Sequence, residues 1–357
     1  MQALLKCQDI DYLLVGDRSD PDNSIQAWLP PDAELLFAPC RKITSTLFWQ
    51  KGLLRLAIRR DIDVIIFLGN ANFLSTWLAA LLARLMQKRV LFWTHGWLRK
   101  EQGVKAIVRN LFYRLAHGLL LYGNRAKMIG VENGFAKNSM HVVYNSLGYR
   151  TQKTIMSGIT NDRIKLVREM FFSDWKTPVL IYTGRLTKSK DLGLLLSAMS
   201  QLQDQGFNTS LLLVGDGPER EPLTQLAKAS GLAVYFYGSC YDEHKLSELI
   251  MSANVTVAPG QIGLTAMHSL GYGTPIITHD DPNDQMPEWE AIVPGVTGEI
   301  FKRGDVHDLA RTIQKCCRHP WPDEDVRRQC VAVIDQFYNP DFQRQVINRA
   351  VAGLPAE

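Results

Sequence analysis

No stretch of the sequence reaches the roughly 18–20 apolar residues that a helix needs to span a bilayer. The nearest candidate, 77–86, is interrupted by Arg84 and reads as a buried helix. The opening residues, MQALLKC, carry no long apolar core and no small-residue cleavage site, so they do not read as a secretory signal. Cysteine is sparse and unpatterned. Cys7, Cys40, Cys240, Cys316, Cys317 and Cys330 form no C-x-x-C pair and have no histidine partners at zinc spacing. They read as cytosolic thiols that pack, and no structural zinc is expected. Low-complexity tracts and short-period repeats are missing as well.

Acidic residues are depleted from one region. Between Leu81 and Gly130 the sequence carries Arg84, Lys88, Arg89, Arg99, Lys100, Lys105, Arg109, Arg114, Arg125 and Lys127 against the single acid Glu101. The net charge of the whole chain is only +4, so this is a local field, and it favours anionic partners. No helix-turn-helix, zinc or aromatic-sheet signature accompanies it, so nucleic acid is not the expected partner.

What is present is a long α/β alternation. A chain of 357 residues exceeds one ordinary core, so two domains are expected. Short runs rich in Val, Ile and Leu at 11–16, 34–38, 63–68, 89–94, 119–122 and 141–144 read as strands of a parallel sheet buried on both faces. Helices are expected between them at 47–60, 73–86, 104–116 and 125–133. The second half repeats the pattern, with strands at 179–183, 210–214, 234–237, 255–258 and 275–278. Its helices are expected at 192–205, 219–230, 243–252, 264–271, 306–317 and 324–337. The fold class is α/β, with two Rossmann-like doubly wound domains. The polar stretch 150–176, with a helix across 161–172, reads as the seam. The expected domains are therefore 1–172 and 173–339, followed by a last helix in 340–357 that packs back across the seam.

Ligands of such sheets sit beyond the carboxyl ends of the strands. Two runs occupy that position in the second half. Gly184-Arg185-Leu186-Thr187-Lys188-Ser189-Lys190 offers a guanidinium fork and a compact ammonium for phosphate oxygens. Gly260-Gln261-Ile262-Gly263-Leu264-Thr265 leads into a helix whose free N–H groups suit an anion. Together they read as a diphosphate site. In the first half His95, followed by Gly96 and Trp97, ends a strand. It suits a sugar hydroxyl or a proton transfer, or is a histidine satisfied at a strand end.

These residues resemble those of GT-B glycosyltransferases, and specifically of their large retaining family 4. The resemblance covers the second half through Gly184-Arg185-Leu186 with Lys190, Val214-Gly215-Asp216-Gly217-Pro218, Tyr237-Gly238, Gly263-Leu264, Gly273-Thr274-Pro275, Pro287-Glu288 and Gly295-Val296-Thr297-Gly298. It is looser in the first half, through His95-Gly96 and Tyr144-Asn145-Ser146. It implies an inter-domain cleft and transfer of a sugar from a nucleotide-diphosphate donor with retention. The N-terminal domain takes a glycan or polyprenyl-linked acceptor, and the C-terminal domain takes the donor. It implies no cofactor and no metal; the strings Asp9-Ile10-Asp11 and Asp61-Ile62-Asp63 lead into strands and read as strand-edge residues. Arg185 and Lys190 would grip the diphosphate, with Gly184 beside them and Gly263, Leu264 and Thr265 capping it. Gly238 and Ser239 would lie near the base, Glu288 below the sugar and His95 near the reacting centre.

One departure stands out. The family usually has glutamates where this chain has Gly260 and His268. His268 retains the ability to hydrogen-bond a ribose hydroxyl, but Gly260 has no side chain to offer. Three readings follow: a donor sugar with fewer hydroxyls, a shifted acid among Asp280, Asp281 and Asp284, or lost activity. The last admits a nucleotide-sugar-binding subunit without catalysis; a GT-B epimerase is a further rival. The basic stretch adds an expectation that Arg99, Lys100, Lys105 and Arg109, beside Trp97, Leu98, Leu111 and Phe112, rest on an anionic membrane. That would place a surface-polysaccharide enzyme peripherally at the cytoplasmic face of the cell membrane.

Overall fold

The structure is a computed structural model and describes residues 10–18, 35–172, 174–318, 321 and 323–356. Cys7 and Asp9 lie outside the described residues, as does the start of the strand expected at 34–38. Two compact units are formed. One comprises the described residues up to Tyr144 together with those from Pro340 onward; the other runs from Asn145 to Asn339. The passage between units therefore falls at 144/145 instead of 172/173.

In the first unit β1 (Leu14–Gly16) and β2 (Leu35–Phe37) pair in parallel. β3 (Cys40–Lys42) and β4 (Phe48–Gln50) form an antiparallel hairpin. The helix expected at 47–60 is thus cut down to α1 (Leu53–Ala57). Phe48 and Trp49 suit a strand better than a helix, and the Gln50 N–H is held by Ser75 Oγ at 3.0 Å. Next come β5 (Val64–Leu68), α2 (Leu74–Leu85), β6 (Arg89–Thr94), α3 (Gly103–Tyr113), β7 (Gly118–Leu121), α4 (Asn124–Glu132) and β8 (Met140–Val142). β5 to β8 lie side by side in sequence order, all parallel. The chain's last helix belongs to this unit. It buries Ile347 and Ala350 against Leu91 and Leu120 of the sheet and Val143 just beyond β8, and its Ala350 carbonyl accepts from Arg89 Nε at 2.6 Å.

The second unit opens with α5 (Tyr149–Ser157) and α6 (Asn161–Phe171), where the sequence suggested a seam. Both helices are polar on one face only. α6 buries Ile164 and Val167, and the Thr160 hydroxyl caps it by accepting from the Arg163 N–H at 3.2 Å. Then follow β9 (Val179–Thr183), α7 (Leu192–Asp204), β10 (Ser210–Val214), α8 (Arg220–Ala229), β11 (Ala233–Gly238), α9 (Glu243–Met251), β12 (Val255–Ala258), α10 (Leu264–Gly271), β13 (Ile276–His279), β14 (Gly298–Phe301), α11 (Val306–Cys317) and α12 (Glu324–Phe337).

These strands build one parallel sheet in the order β11-β10-β9-β12-β13-β14. Side-chain alternation explains why both faces are covered. Leu180, Leu211 and Leu213 meet Leu195, Leu196 and Ile313 on one face. Val179, Ile181 and Leu212 meet Ile164, Val167, Leu249 and Ile250 on the other. Each fully buried aliphatic contributes about 1.5–3 kcal/mol. The strand order reverses between β9 and β12, so a crevice opens beyond their carboxyl ends.

Candidate active site

The loops after β9 and β12 are stitched together at that reversal. The Lys190 ammonium donates to the Gln261 carbonyl at 2.7 Å, and the Gly260 N–H donates to the Lys190 carbonyl at 3.1 Å. The Thr265 hydroxyl, in the first turn of α10, donates to the Thr183 carbonyl at 2.9 Å. Gly184, Lys190, Gly260, Gly263, Leu264 and Thr265 are thereby held in one place. Gly260 is there because nothing larger fits. A Cβ at that position would lie 2.2 Å from the Ser189 carbonyl oxygen. A second close approach shapes the floor: a Cβ on Gly215 would sit 1.9 Å from the Gly184 carbonyl oxygen.

The electrostatics are those of an anion site. Arg185 is exposed and has no side-chain partner among the described residues. Lys190 is half-buried, and burial lowers its pKa from the ordinary value near 10.5, with Asp284 opposing. The cap residue of α10, Gly263, makes no side-chain hydrogen bond, which leaves the helix start open to a ligand.

A third loop, after β13, lies along the second. Gln285 Oε1 accepts from the Ile262 N–H at 2.9 Å, and Met286 lies 3.7 Å from where a Gly263 Cβ would be. This loop carries Glu288, which is 3% exposed. Its Oε1 accepts from Asn145 Nδ2 at 2.8 Å, while Oε2 is buried with no hydrogen-bond partner among the described residues. Gly238 ends β11, where its carbonyl accepts from the Gly215 N–H at 2.8 Å, and Ser239 beyond it is exposed.

The acids proposed to stand in for the missing glutamate are already engaged. Asp281 and Asp284 both bind the Arg303 guanidinium, and Asp280 Oδ1 accepts from the Arg303 N–H at 3.0 Å. The carboxylate nearest His268 is Glu243, which sequence reasoning missed. Its Oε1 lies 3.6 Å from His268 Nε2 and accepts from Tyr272 OH at 2.7 Å and Gln152 Nε2 at 3.1 Å. No spacing rule joins positions 152, 243, 268 and 272; only the fold does. The His268 ring first, then the Tyr272 hydroxyl and the Gln152 amide, hold the Glu243 carboxyl down to about 2 against an opposing effect of burial. A depressed acid stabilises the fold above its ordinary value of 4.5 and loses that contribution as pH falls through about 2. Thermal melts from pH 5 to pH 2 should therefore fall less steeply for Glu243→Gln than for the parent.

In the first unit His95 is exposed beyond β6, its ring 4.7 Å from that of Tyr122. Its loop is fixed from α3. Arg109 Nη1 and Tyr113 OH donate to the Gly96 carbonyl at 3.0 and 3.3 Å, and Trp97 Nε1 donates to Asn110 Oδ1 at 2.9 Å. This corrects the expected membrane set. Trp97 and Phe112 are core residues, and Arg109 is turned to Gly96 and to Glu101 at 3.1 Å. Arg99 is exposed, while Lys100 and Lys105 face Glu132 and Glu101 at 2.9 and 3.6 Å. Of the expected apolar set Leu111 is exposed, in a stripe with Val104, Ile107 and Val108 on α3, and a second exposed stripe of Leu74, Leu78, Leu81 and Leu85 runs along α2. The two helices are neighbours through Trp77 and Phe112, whose rings are 4.9 Å apart. No helix among the described residues is long and apolar enough to cross a membrane.

The fold is that of GT-B glycosyltransferases. The Anabaena protein HepE, solved with UDP, superposes with a TM-score of 0.67 at 18% identity, over 85% of this chain and 81% of its own. Residues 166–331, within the second unit, match the family described as glycosyl transferases group 1, in line with the GT-B resemblance read from the sequence. Relatives include a GDP-mannose-dependent phosphatidylinositol dimannoside mannosyltransferase of Mycobacterium tuberculosis, 38% identical over 29% of this chain and 28% of its own length. A putative glycosyltransferase of Bacillus subtilis, EpsD, is 27% identical over 48% of this chain and 47% of its own. The matches thus span about a quarter to a half of these relatives.

Proposed function

We propose that the chain is a retaining glycosyltransferase that moves a sugar from a nucleotide-diphosphate donor to a glycan or lipid-linked acceptor in surface polysaccharide synthesis. The observation that carries this reading is the joining of Lys190, the Gly260–Gly263 loop and the open start of α10 at the reversal of the sheet. Arg185 and Lys190 stabilise the charge that grows on the departing diphosphate, in place of a metal. The departing phosphate oxygen helps take the acceptor proton in a front-face substitution. Glu288, held by Asn145, braces the loop below the sugar, and His95 serves the acceptor side. Incubation with a panel of nucleotide sugars and lipid-linked acceptors should release nucleoside diphosphate and yield a glycosylated product by mass spectrometry. Binding without turnover would favour the rival reading, a nucleotide-sugar-binding subunit, which the bare backbone at Gly260 motivates. Epimerised donor without acceptor would favour a GT-B epimerase.

The acceptor side is proposed to rest on an anionic membrane through the apolar stripes of α2 and α3, with the exposed basic side chains around them facing the headgroups. Vesicles containing phosphatidylglycerol should sediment the protein in a salt-sensitive way, and Leu85→Glu with Val104→Glu should lower that binding at least tenfold. Equal recovery on neutral and anionic vesicles would remove the electrostatic part of this reading.

A further inference from the structure

Building on the donor reading above, we infer that Arg303 is a positioning residue of the donor site, holding the Asp284 carboxylate off the Lys190 ammonium so that the ammonium stays available to a diphosphate. Arg303 lies just beyond β14 and belongs to none of the runs that read as the diphosphate site. A chain of contacts carries Asp284 toward Lys190. The Lys190 ammonium donates to the Gln261 carbonyl at 2.7 Å. The next residue, Ile262, donates its N–H to Gln285 Oε1 at 2.9 Å, and its carbonyl accepts from the Met286 N–H at 3.3 Å. Asp284 directly precedes Gln285, so the same stitches bring it to the loop that Lys190 holds. Its charge is felt there, because Asp284 raises the Lys190 pKa against the lowering effect of burial. Yet among the described residues Lys190 makes no ion pair, and the Asp284 carboxylate is bound by Arg303 instead.

An ammonium and a carboxylate on adjoining loops attract one another, the more so where water is partly excluded. A direct pair would engage the protons that Lys190 has left after Gln261 and cancel its charge before an anion arrived. The guanidinium fork prevents this by geometry. Nη1 binds Asp281 at 2.6 Å while Nη2 binds Asp284, so one planar group spans both carboxylates. Its base is fixed as well: the Arg303 N–H donates to Asp280 Oδ1 at 3.0 Å, and the Asp280 N–H donates to the Phe301 carbonyl at 2.9 Å. The Arg303 and Asp284 side chains are 50% and 43% exposed, and ion pairs so exposed contribute little to stability. Three aspartates gathered on one exposed arginine are better suited to placing a charge than to holding the fold.

Calorimetric titration with UDP and GDP, beside thermal melts, provides the test. Arg303→Met should weaken binding of whichever nucleoside diphosphate the parent takes up by about tenfold or more, with a melting temperature close to the parent's. Asp284→Asn alone should bind as tightly as the parent or more tightly. Asp284→Asn added to Arg303→Met should restore the lost affinity, because the competing carboxylate is gone. An arginine that only shaped the loop after β13 would show no such recovery. Parental affinity in Arg303→Met, or a loss that Asp284→Asn fails to restore, would overturn the inference and leave the donor reading standing. A weaker Asp284→Asn protein would overturn it too, however Arg303→Met folds. If the parent takes up neither nucleoside diphosphate, the donor reading itself fails, and this inference with it.

Discussion

Replacing Arg185 by alanine should lower turnover by about a hundredfold or more and leave the melting temperature unchanged. The two halves of that expectation have separate physical grounds. Arg185 is exposed and without a side-chain partner among the described residues, so its removal breaks no contact that holds the fold. Surface substitutions of that kind usually stay within about 0.5 kcal/mol. Its proposed work appears only when charge builds on the leaving diphosphate, and losing one preorganised donor of that type costs about 2.7–4 kcal/mol of transition-state stabilisation. Lys190→Met should lower turnover comparably but behave differently in the melt. Its ammonium is half-buried and holds the Gln261 carbonyl, so the loop after β12 loses an anchor and stability falls as well. Steady-state kinetics beside melts of the same preparations separate the two. Near-parental turnover in Arg185→Ala would remove that residue from the chemistry.

The diphosphate runs were legible because their signals are local. An apolar run followed by glycine and a cation, and a glycine before a helix, are readable without knowing what lies opposite. The structure adds the stitching, which joins residues 71 and 82 positions apart: Lys190 to Gln261 and Thr183 to Thr265. The β order that puts these loops together is equally invisible in a list of strands, since 3-2-1-4-5-6 and other orders use the same apolar runs.

Failures of reading share one cause. The segment 150–176 is polar in composition, yet α5 and α6 bury Ile155, Ile164 and Val167 in the second unit, with Met156, Phe171 and Phe172 packed beside them. Trp97 and Phe112 sit among basic residues in the sequence and in the hydrophobic core in space. Neighbourhood in the chain said nothing of which face each residue takes. Glu243 is the sharpest case, because its partners come from α5, α10 and the residue after α10, and none of them is marked by spacing.

Gly260→Ala should destabilise the protein by about 1–3 kcal/mol and weaken donor binding, and Gly260→Glu should do more of both. A change toward the family's usual acid would ordinarily be expected to help a glycosyltransferase. Here the backbone forbids it. A Cβ at 260 would lie 2.2 Å from the Ser189 carbonyl oxygen and 2.8 Å from Lys190 backbone atoms, and backbone atoms cannot swing aside as the end of a side chain can. The loops after β9 and β12 must then separate. The Gly260 N–H to Lys190 carbonyl bond would go, and the Lys190 ammonium would lose its hold on the Gln261 carbonyl. Damage at 260 is therefore damage to the phosphate grip, whichever acid is introduced. Gly193→Ala supplies the contrast, because that glycine lies in α7 with nothing within 4 Å of a new Cβ. Its replacement should be neutral or stabilise by about 0.4–1 kcal/mol. Melts and nucleotide titrations of both variants give the comparison, and a Gly260→Ala protein with parental stability and affinity would show that the two loops are not in contact. If instead the pattern holds, the missing carboxylate cannot be rebuilt at that position. The donor must then be held by groups that reach the site from other elements.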